Sequence, residues 1–125
     1  MHFRYIVRFF LLVTAGIILY FSLIPDPPNT FIKFNAMDKV EHAVAYALLG
    51  LLSFFSFRYD RNHPVRIVIF SVLLCSIYGG LIEILQRYTG RFPDSGDLIM
   101  DIIGATAGSL LAFFILRYIS KKKAQ

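Results

Sequence analysis

Acidic residues and one histidine recur at helical spacing beside the apolar stretches of this 125-residue chain. Asp38 and His42 lie four residues apart and Tyr46 follows after another four, so a helix would place all three on one face. A histidine held by a carboxylate can act as a general acid or base. Glu83, at the end of the third apolar stretch, could orient the same ring. We therefore interpret His42, Glu83 and Asp38 as candidate catalytic residues.

A second group of polar residues has the chemistry of a binding site. Arg87 and Arg91 could hold a phosphate through charge-assisted hydrogen bonds. Asp97 and Asp101 share one helical stripe and could supply a second carboxylate to the acid–base group. The predicted binding residues are Arg87, Arg91, Gln86, Tyr46, Asp94, Asp97 and Asp101.

The same histidine and carboxylates do not decide whether the site contains a metal cofactor. Such a set could bind Mg, Mn or Zn and bridge the ion to a phosphate. The sequence contains no diagnostic metal-ligand motif, and its single Cys75 has no Cys-x-x-Cys partner. A divalent cation is therefore one alternative, and a site that works without a metal is the other.

The composition excludes several classes of protein. The chain is 57% hydrophobic and only 17% charged, whereas an average soluble domain is about 45–50% apolar and about 25% charged. A soluble enzyme, a disordered tail and a nucleic-acid-binding arm are therefore unfavourable interpretations. The net charge of +5 is explained by location in a membrane protein rather than by a nucleic acid partner. The expected partners are membrane lipids.

Four uncharged apolar runs of 15 or 16 residues dominate the chain, at 9–24, 43–57, 67–82 and 102–116. A bilayer span needs about 20 residues, so each run is long enough only together with its polar flanks. Backbone groups in lipid must be satisfied within the segment, which favours helices. The sequence therefore predicts an all-α transmembrane bundle of four helices in one domain covering 1–125, with helices at about 5–24, 39–57, 66–87 and 97–117.

Basic residues are distributed unequally between the two sides of this bundle. Nine lie at the termini and in the second loop, and four lie on the other side. The positive-inside rule then places both termini in the cytoplasm. The nine are Arg4, Arg8, Arg58, Arg61, Arg66, Arg117, Lys121, Lys122 and Lys123, and the four are Lys33, Lys39, Arg87 and Arg91.

The acidic residues show the opposite distribution. Only Asp60 lies on the cytoplasmic side, which predicts a polar site in the outer leaflet. Glu83 and Asp101 fall within the spans, where an acid costs about 2.5–3.5 kcal/mol at the helix centre and therefore usually faces the bundle interior. The seven acids at the outer end are Asp26, Asp38, Glu41, Glu83, Asp94, Asp97 and Asp101.

Several of these residues also have purely structural interpretations. Asp38 could cap the second helix, and Asp97 could cap the fourth. Glu83 and Arg87 could form an ion pair without further function. Arg87 and Arg91 could serve only to anchor their helix end at the membrane interface.

The polar residues also follow a recognisable order along the chain. The pattern resembles the VanZ-like family of small bacterial membrane proteins, from about Ser22 to Gly108. One departure is Asp101, where the family usually has Asn. The resemblance implies a multi-pass protein of the bacterial cytoplasmic (inner) membrane, and the founding member of the family is associated with low-level teicoplanin resistance. The motifs are Ser22-Leu23-Ile24-Pro25, Asp38-Lys39-Val40-x-His42-x-x-Ala45-Tyr46-x-x-Leu49-Gly50, Tyr78-Gly79-x-x-Ile82-Glu83-x-x-Gln86 and Arg91-x-x-Asp94-x-x-Asp97-x-x-x-Asp101-x-x-Gly104-x-x-x-Gly108.

Two functional hypotheses follow, and they leave open whether the protein is an enzyme. In the first, the polar site binds or modifies an anionic cell-envelope lipid or its head group, with a link to glycopeptide susceptibility. In the second, the polar cluster is structural and the protein is a non-enzymatic scaffold or modulator of envelope assembly. The first hypothesis requires a pocket with His42, Glu83 and Arg87 within hydrogen-bonding reach of a common point. The sequence fixes neither the ligand nor the oligomeric state.

Overall fold

The chain folds into helices that are joined by short connections. The computed structural model describes residues 2–25, 35–58, 63–91 and 93–123. It contains four helices in these ranges, and no strand occurs there: α1 His2–Leu23, α2 Asn35–Phe57, α3 Pro64–Gln86 and α4 Ser95–Lys123. Each helix is long and apolar enough to cross a membrane. The predicted all-α architecture is therefore confirmed for the described residues, with four helices that are long and apolar enough to span a membrane.

The helices begin two to four residues earlier than predicted, and α4 continues beyond 117 to Lys123. Pro64 opens α3 because the first helical position needs no backbone N–H donor. The last turn of α4 contains three lysines, whose charges interact favourably with the negative end of the helix dipole. The end of the apolar run is therefore not the end of the helix. The predicted loop residues Asp26, Lys33, Asp60 and Arg61 lie outside the described residues.

Helices α2 and α4 form the closest pair of the bundle. A Cβ atom on Gly104 would overlap the backbone of Ala43, and one on Gly108 would overlap the backbone of Ala47. Glycines at this spacing allow two membrane helices to pack backbone against backbone. The stripe of small residues on α4 therefore fixes the position of α4 against α2.

The opposing side of this interface is equally tight. A Cβ atom on Gly50 would overlap the backbone of Ala105, and the Ser109 hydroxyl donates a hydrogen bond to the Gly50 carbonyl oxygen at 3.2 Å. Both helices thus contribute a glycine to the seam, which holds their axial register.

Helix α1 packs against α2 and α3 at the edge of the bundle. Two of its backbone carbonyl oxygens accept hydrogen bonds from side chains of α3. The Tyr78 hydroxyl donates to the Ala15 carbonyl at 2.6 Å, and the Gln86 amide nitrogen donates to the Ser22 carbonyl at 3.1 Å. The outward side chains of α1 are almost all large and apolar, as expected for a surface in contact with lipid.

The glycine seam predicts opposite effects for two matched substitutions. Gly108→Ala should lower the stability of the protein by about 1–3 kcal/mol, because the added methyl group meets the Ala47 backbone. Gly80→Ala meets nothing within 4 Å and should leave stability unchanged or raise it. Unfolding of both variants in detergent micelles measures the difference. Equal effects of the two substitutions would contradict the close packing of α2 and α4.

Candidate functional site

The polar site is organised around a hydrogen bond between α2 and α4. Nδ1 of His42 is hydrogen-bonded to Oδ1 of Asp101, with the two atoms 2.8 Å apart. The two side chains are only 12% and 3% exposed. Because an ionised carboxylate accepts but does not donate, this contact places a proton on Nδ1 and fixes the orientation of the ring.

The second carboxylate on α4 lies on the other side of the same ring. Nε2 of His42 is 3.7 Å from Oδ2 of Asp97, which is too long for a hydrogen bond. Oδ1 of Asp97 is buried and has no hydrogen-bond partner, although it lies 3.8 Å from Nζ of Lys39. Nδ1 of His42 is therefore hydrogen-bonded to Asp101, whereas Nε2 is not hydrogen-bonded to Asp97.

Tyr46 closes the deeper side of this cluster. Its ring lies parallel to that of His42, with centroids 6.5 Å apart, and its side chain is fully buried. The Tyr46 hydroxyl lies beside the Asp101 carboxylate. A Cβ atom on Gly79 of α3 would come within 3.2 Å of that hydroxyl and closer still to Asp101. Glycine at position 79 thus leaves space for the buried pair.

The start of α4 is stabilised by Asp94. Its Oδ1 accepts from the backbone N–H of Gly96 at 2.8 Å, and its Oδ2 accepts from Nζ of Lys39 at 3.0 Å. These two contacts hold the pKa of the Asp94 carboxyl below its usual value. Asp94 therefore caps α4. The alternative in which Asp97 is the cap is wrong, because Asp97 lies within the first turn.

Asp38 is likewise not the cap of α2, which begins three residues earlier, at Asn35. Its Oδ1 instead lies 3.7 Å from Nη2 of Arg91, in the connection between α3 and α4. Nη1 of Arg91 donates to the carbonyl oxygens of Phe21 at 3.1 Å and Ser22 at 3.4 Å. Arg91 thus donates hydrogen bonds to two carbonyl groups at the end of α1 and also lies beside Asp38 in the first turn of α2.

A cavity of about 330 Å³ lies between α1 and α2 beside this arginine. One part of its wall is polar and includes both Arg91 and His42. The rest is apolar and comes mainly from α1. The lining residues are Ile17, Ile18, Phe21, Ser22, Asp38, Glu41, His42, Ala45, Tyr46 and Arg91.

The predicted residues on α3 are placed differently. Glu83 is half-buried and close enough to Asp97 and Asp101 to interact with their charges, but it does not line the cavity. The Arg87 side chain is exposed, and within the described part of the chain it forms no ion pair with Glu83. Gln86 is buried, and its Oε1 lacks a hydrogen-bond partner. His42, Glu83 and Arg87 therefore do not share one cavity, and the common point expected for these three residues is not found. Arg91, instead of Arg87, lines the cavity together with His42.

The donor set does not favour a metal ion. Among the described residues, no group of three or more His, Cys, Asp or Glu side chains is arranged to hold one. Lys39 places an ammonium group close to both Asp94 and Asp97, and this positive charge opposes binding of a cation by these two carboxylates. Among the described residues, Asp94 and Asp97 are therefore a poor fit to a divalent cation.

Sequence reasoning missed Lys39, which joins α2 to Asp94 and Asp97 on α4. Its position three residues before His42, on the same helical face, is a signal that could have identified it. The apolar cavity wall formed by Ile17 and Phe21 had no such signal, because these side chains resemble every other lipid-facing residue of α1.

A family model described as VanZ/LLP1 matches residues 1–117, which confirms the VanZ-like resemblance. No curated protein and no solved structure matches the chain.

The buried pair predicts a graded response at position 101. Asp101→Ala leaves the buried His42 ring without its acceptor and should lower the free energy of unfolding by about 3 kcal/mol. Asp101→Asn keeps an oxygen that accepts from Nδ1 and should cost less. Glu41→Ala, at an exposed position of α2, is the control. Unfolding in detergent compares the three variants. An Asp101→Ala variant no less stable than the control would refute the pair.

Proposed function

Because the chain belongs to the VanZ/LLP1 family, we propose that it is a multi-pass membrane protein that binds the head group of an anionic cell-envelope lipid between α1 and α2. The cavity at this position carries the proposal, since it combines Arg91 and His42 with an apolar wall. Its volume of about 330 Å³ suits a head group and the first part of an acyl chain.

The apolar wall supports a lipid rather than a water-soluble ligand. Ile17 and Phe21 are more than half exposed on the outer face of α1 and also line the cavity. A chain lying along α1 could therefore reach the polar part of the cavity without crossing the bundle. Ser22 and Ala45 add small side chains that leave room for it.

The charges in the cavity favour a particular kind of head group. Arg91 supplies guanidinium donors, and a phosphate could bind to them in place of the Asp38 carboxylate, which lies 3.7 Å from Nη2 of Arg91. Asp38 and Glu41 line the same cavity and accept hydrogen bonds. The best fit is therefore a phosphate-bearing head group that also carries hydroxyl or ammonium donors.

Modification of the bound lipid would require His42. Asp101 holds Nδ1, which leaves Nε2 as the ring atom able to give or take a proton at a head-group hydroxyl. Asp101 would act by orienting the ring and stabilising its charged form. Glu83 does not line the cavity and would not contact the lipid there, and Arg87 would serve only at the membrane interface.

We place this cavity in the outer leaflet of the bacterial cytoplasmic membrane, with both termini in the cytoplasm. The described acids lie near the same end of the bundle as the cavity, and the basic residues 117 and 121–123 lie at the other end of α4. Positive residues are retained on the cytoplasmic side, which supports this orientation.

A structural role is the second candidate. The His42–Asp101 and Lys39–Asp94 contacts both join α2 to α4, the pair that already packs most closely. In this case the cluster only holds the bundle together, and the protein modulates envelope assembly without binding a lipid in the cavity.

The two candidates predict different results for a matched pair of arginine variants. Arg91→Gln should weaken the binding of lysophosphatidylglycerol at least about ten-fold, because a charge-assisted contact contributes about 1.5–3 kcal/mol. Arg87→Gln, outside the cavity, is the control and should bind as the wild type does. Isothermal titration in detergent measures both affinities.

Equal affinity in the two variants would favour the structural role. In cells, a link to glycopeptide susceptibility requires that wild-type protein alters the teicoplanin sensitivity of its host and that Arg91→Gln removes the change. An unchanged sensitivity with wild-type protein would refute that link.

The orientation predicts which end of the bundle is accessible from outside the cell. A membrane-impermeant maleimide should label Ser95→Cys in whole cells and should label Ser120→Cys only after lysis, since the two exposed positions lie at opposite ends of α4. The native Cys75 is buried and provides the unlabelled background. The reverse pattern would show the opposite orientation.

A further inference from the structure

The end of the bundle opposite the lipid cavity carries an unbalanced positive charge. Arg117 and Lys121 lie four residues apart on α4, so they share one face, and both side chains are exposed. Neither forms an ion pair with a described residue, since every described carboxylate lies near the other end of the bundle. Two like charges at this spacing destabilise a helix slightly unless an anion lies between them.

Two concave surfaces meet at these cations. A cavity of about 370 Å³ is lined by Pro64, Leu116, Arg117, Ser120 and Lys121. A second one of about 320 Å³ is lined by Phe114, Arg117, Tyr118 and Lys121. Arg117 and Lys121 therefore separate two hollows, each of which has an apolar or aromatic wall beside the charges.

The N-terminus of α3 faces the first of these hollows through Pro64. The residue before it, His63, provides no side-chain hydrogen bond to cap the 23-residue helix. Among the described residues, no side chain caps the first backbone N–H groups of α3, and the positive end of the helix dipole adds to the charges of Arg117 and Lys121.

The length of α4 places these charges at the level of lipid head groups. Asp97 and Arg117 are 20 residues apart on one continuous helix, which corresponds to about 30 Å at about 1.5 Å per residue. The hydrocarbon core of a bilayer is also about 30 Å thick. When Asp97 lies at one membrane interface, Arg117 therefore lies at the other.

From these observations we infer a second lipid site, in which the hollow between the start of α3 and the end of α4 binds the phosphate of an anionic phospholipid. Arg117, Lys121 and the Ser120 hydroxyl donate to the phosphate, and Leu116 contacts the glycerol and upper acyl chain. Charge complementarity and depth select this occupant: a soluble anion would lack the apolar contact, and a zwitterionic lipid would bring a cation beside two others.

Native mass spectrometry of the full chain tests the site with two probes, phosphatidylglycerol and phosphatidylcholine. Wild-type protein should retain phosphatidylglycerol in preference to phosphatidylcholine. Replacing Arg117 and Lys121 by Gln should lower the retained phosphatidylglycerol at least about five-fold, because both charge-assisted donors to the phosphate are lost together. Replacing Lys122 and Lys123 by Gln removes the same charge outside both hollows and should have little effect.

The remaining outcomes overturn the inference. Equal losses in the two double variants would indicate diffuse attraction rather than a built site, and unchanged retention in the Arg117/Lys121 variant would exclude it. If only Arg91→Gln lowers the retained phosphatidylglycerol, the bound lipid belongs to the cavity between α1 and α2. This variant therefore distinguishes a failure of the second site from a failure of the proposed function. Circular dichroism of each variant checks that the helical content is retained.

Discussion

The close approach of α2 and α4 is the constraint on which the rest of the structure depends. Glycines at 50, 104 and 108 let the two backbones meet, and this proximity brings His42 within 2.8 Å of Asp101 inside an apolar bundle. A charged carboxylate in such surroundings is costly unless it is hydrogen-bonded. The small residues and the polar pair therefore support each other, because neither the contact nor the burial of Asp101 is favourable without close packing.

The cavity follows from the same arrangement. Since α1 packs only on α2 and α3, its contact with the bundle is less extensive, and a hollow remains where it passes the polar end of α2. Arg91 holds the end of α1 through two backbone carbonyls and simultaneously faces Asp38. The residue that completes the bundle at this end is therefore also the cation that is available to a ligand.

The fold was largely predictable from the sequence, whereas the pairing within the site was not. Helices could be predicted because uncharged runs in lipid have few alternatives, although the lysines at the end of α4 extend it beyond its apolar run. Periodicity shows which residues share a face of one helix, so it grouped Asp38 with His42. Periodicity contains no information on the register between helices. It therefore could not predict that His42 pairs with Asp101 or that Asp38 lies near Arg91. For the same reason, it could not predict that Glu83 lies near this cluster but outside the cavity.

Whether Asp101 holds the His42 ring depends on a proton on Nδ1, which nitrogen NMR of the histidine ring detects. In protein labelled with ¹⁵N-histidine and reconstituted in lipid, we expect a protonated, hydrogen-bonded Nδ1 for His42 that changes when Asp101 is replaced by Ala. An unprotonated Nδ1, or a spectrum that is the same in wild type and Asp101→Ala, would contradict the pairing of His42 with Asp101.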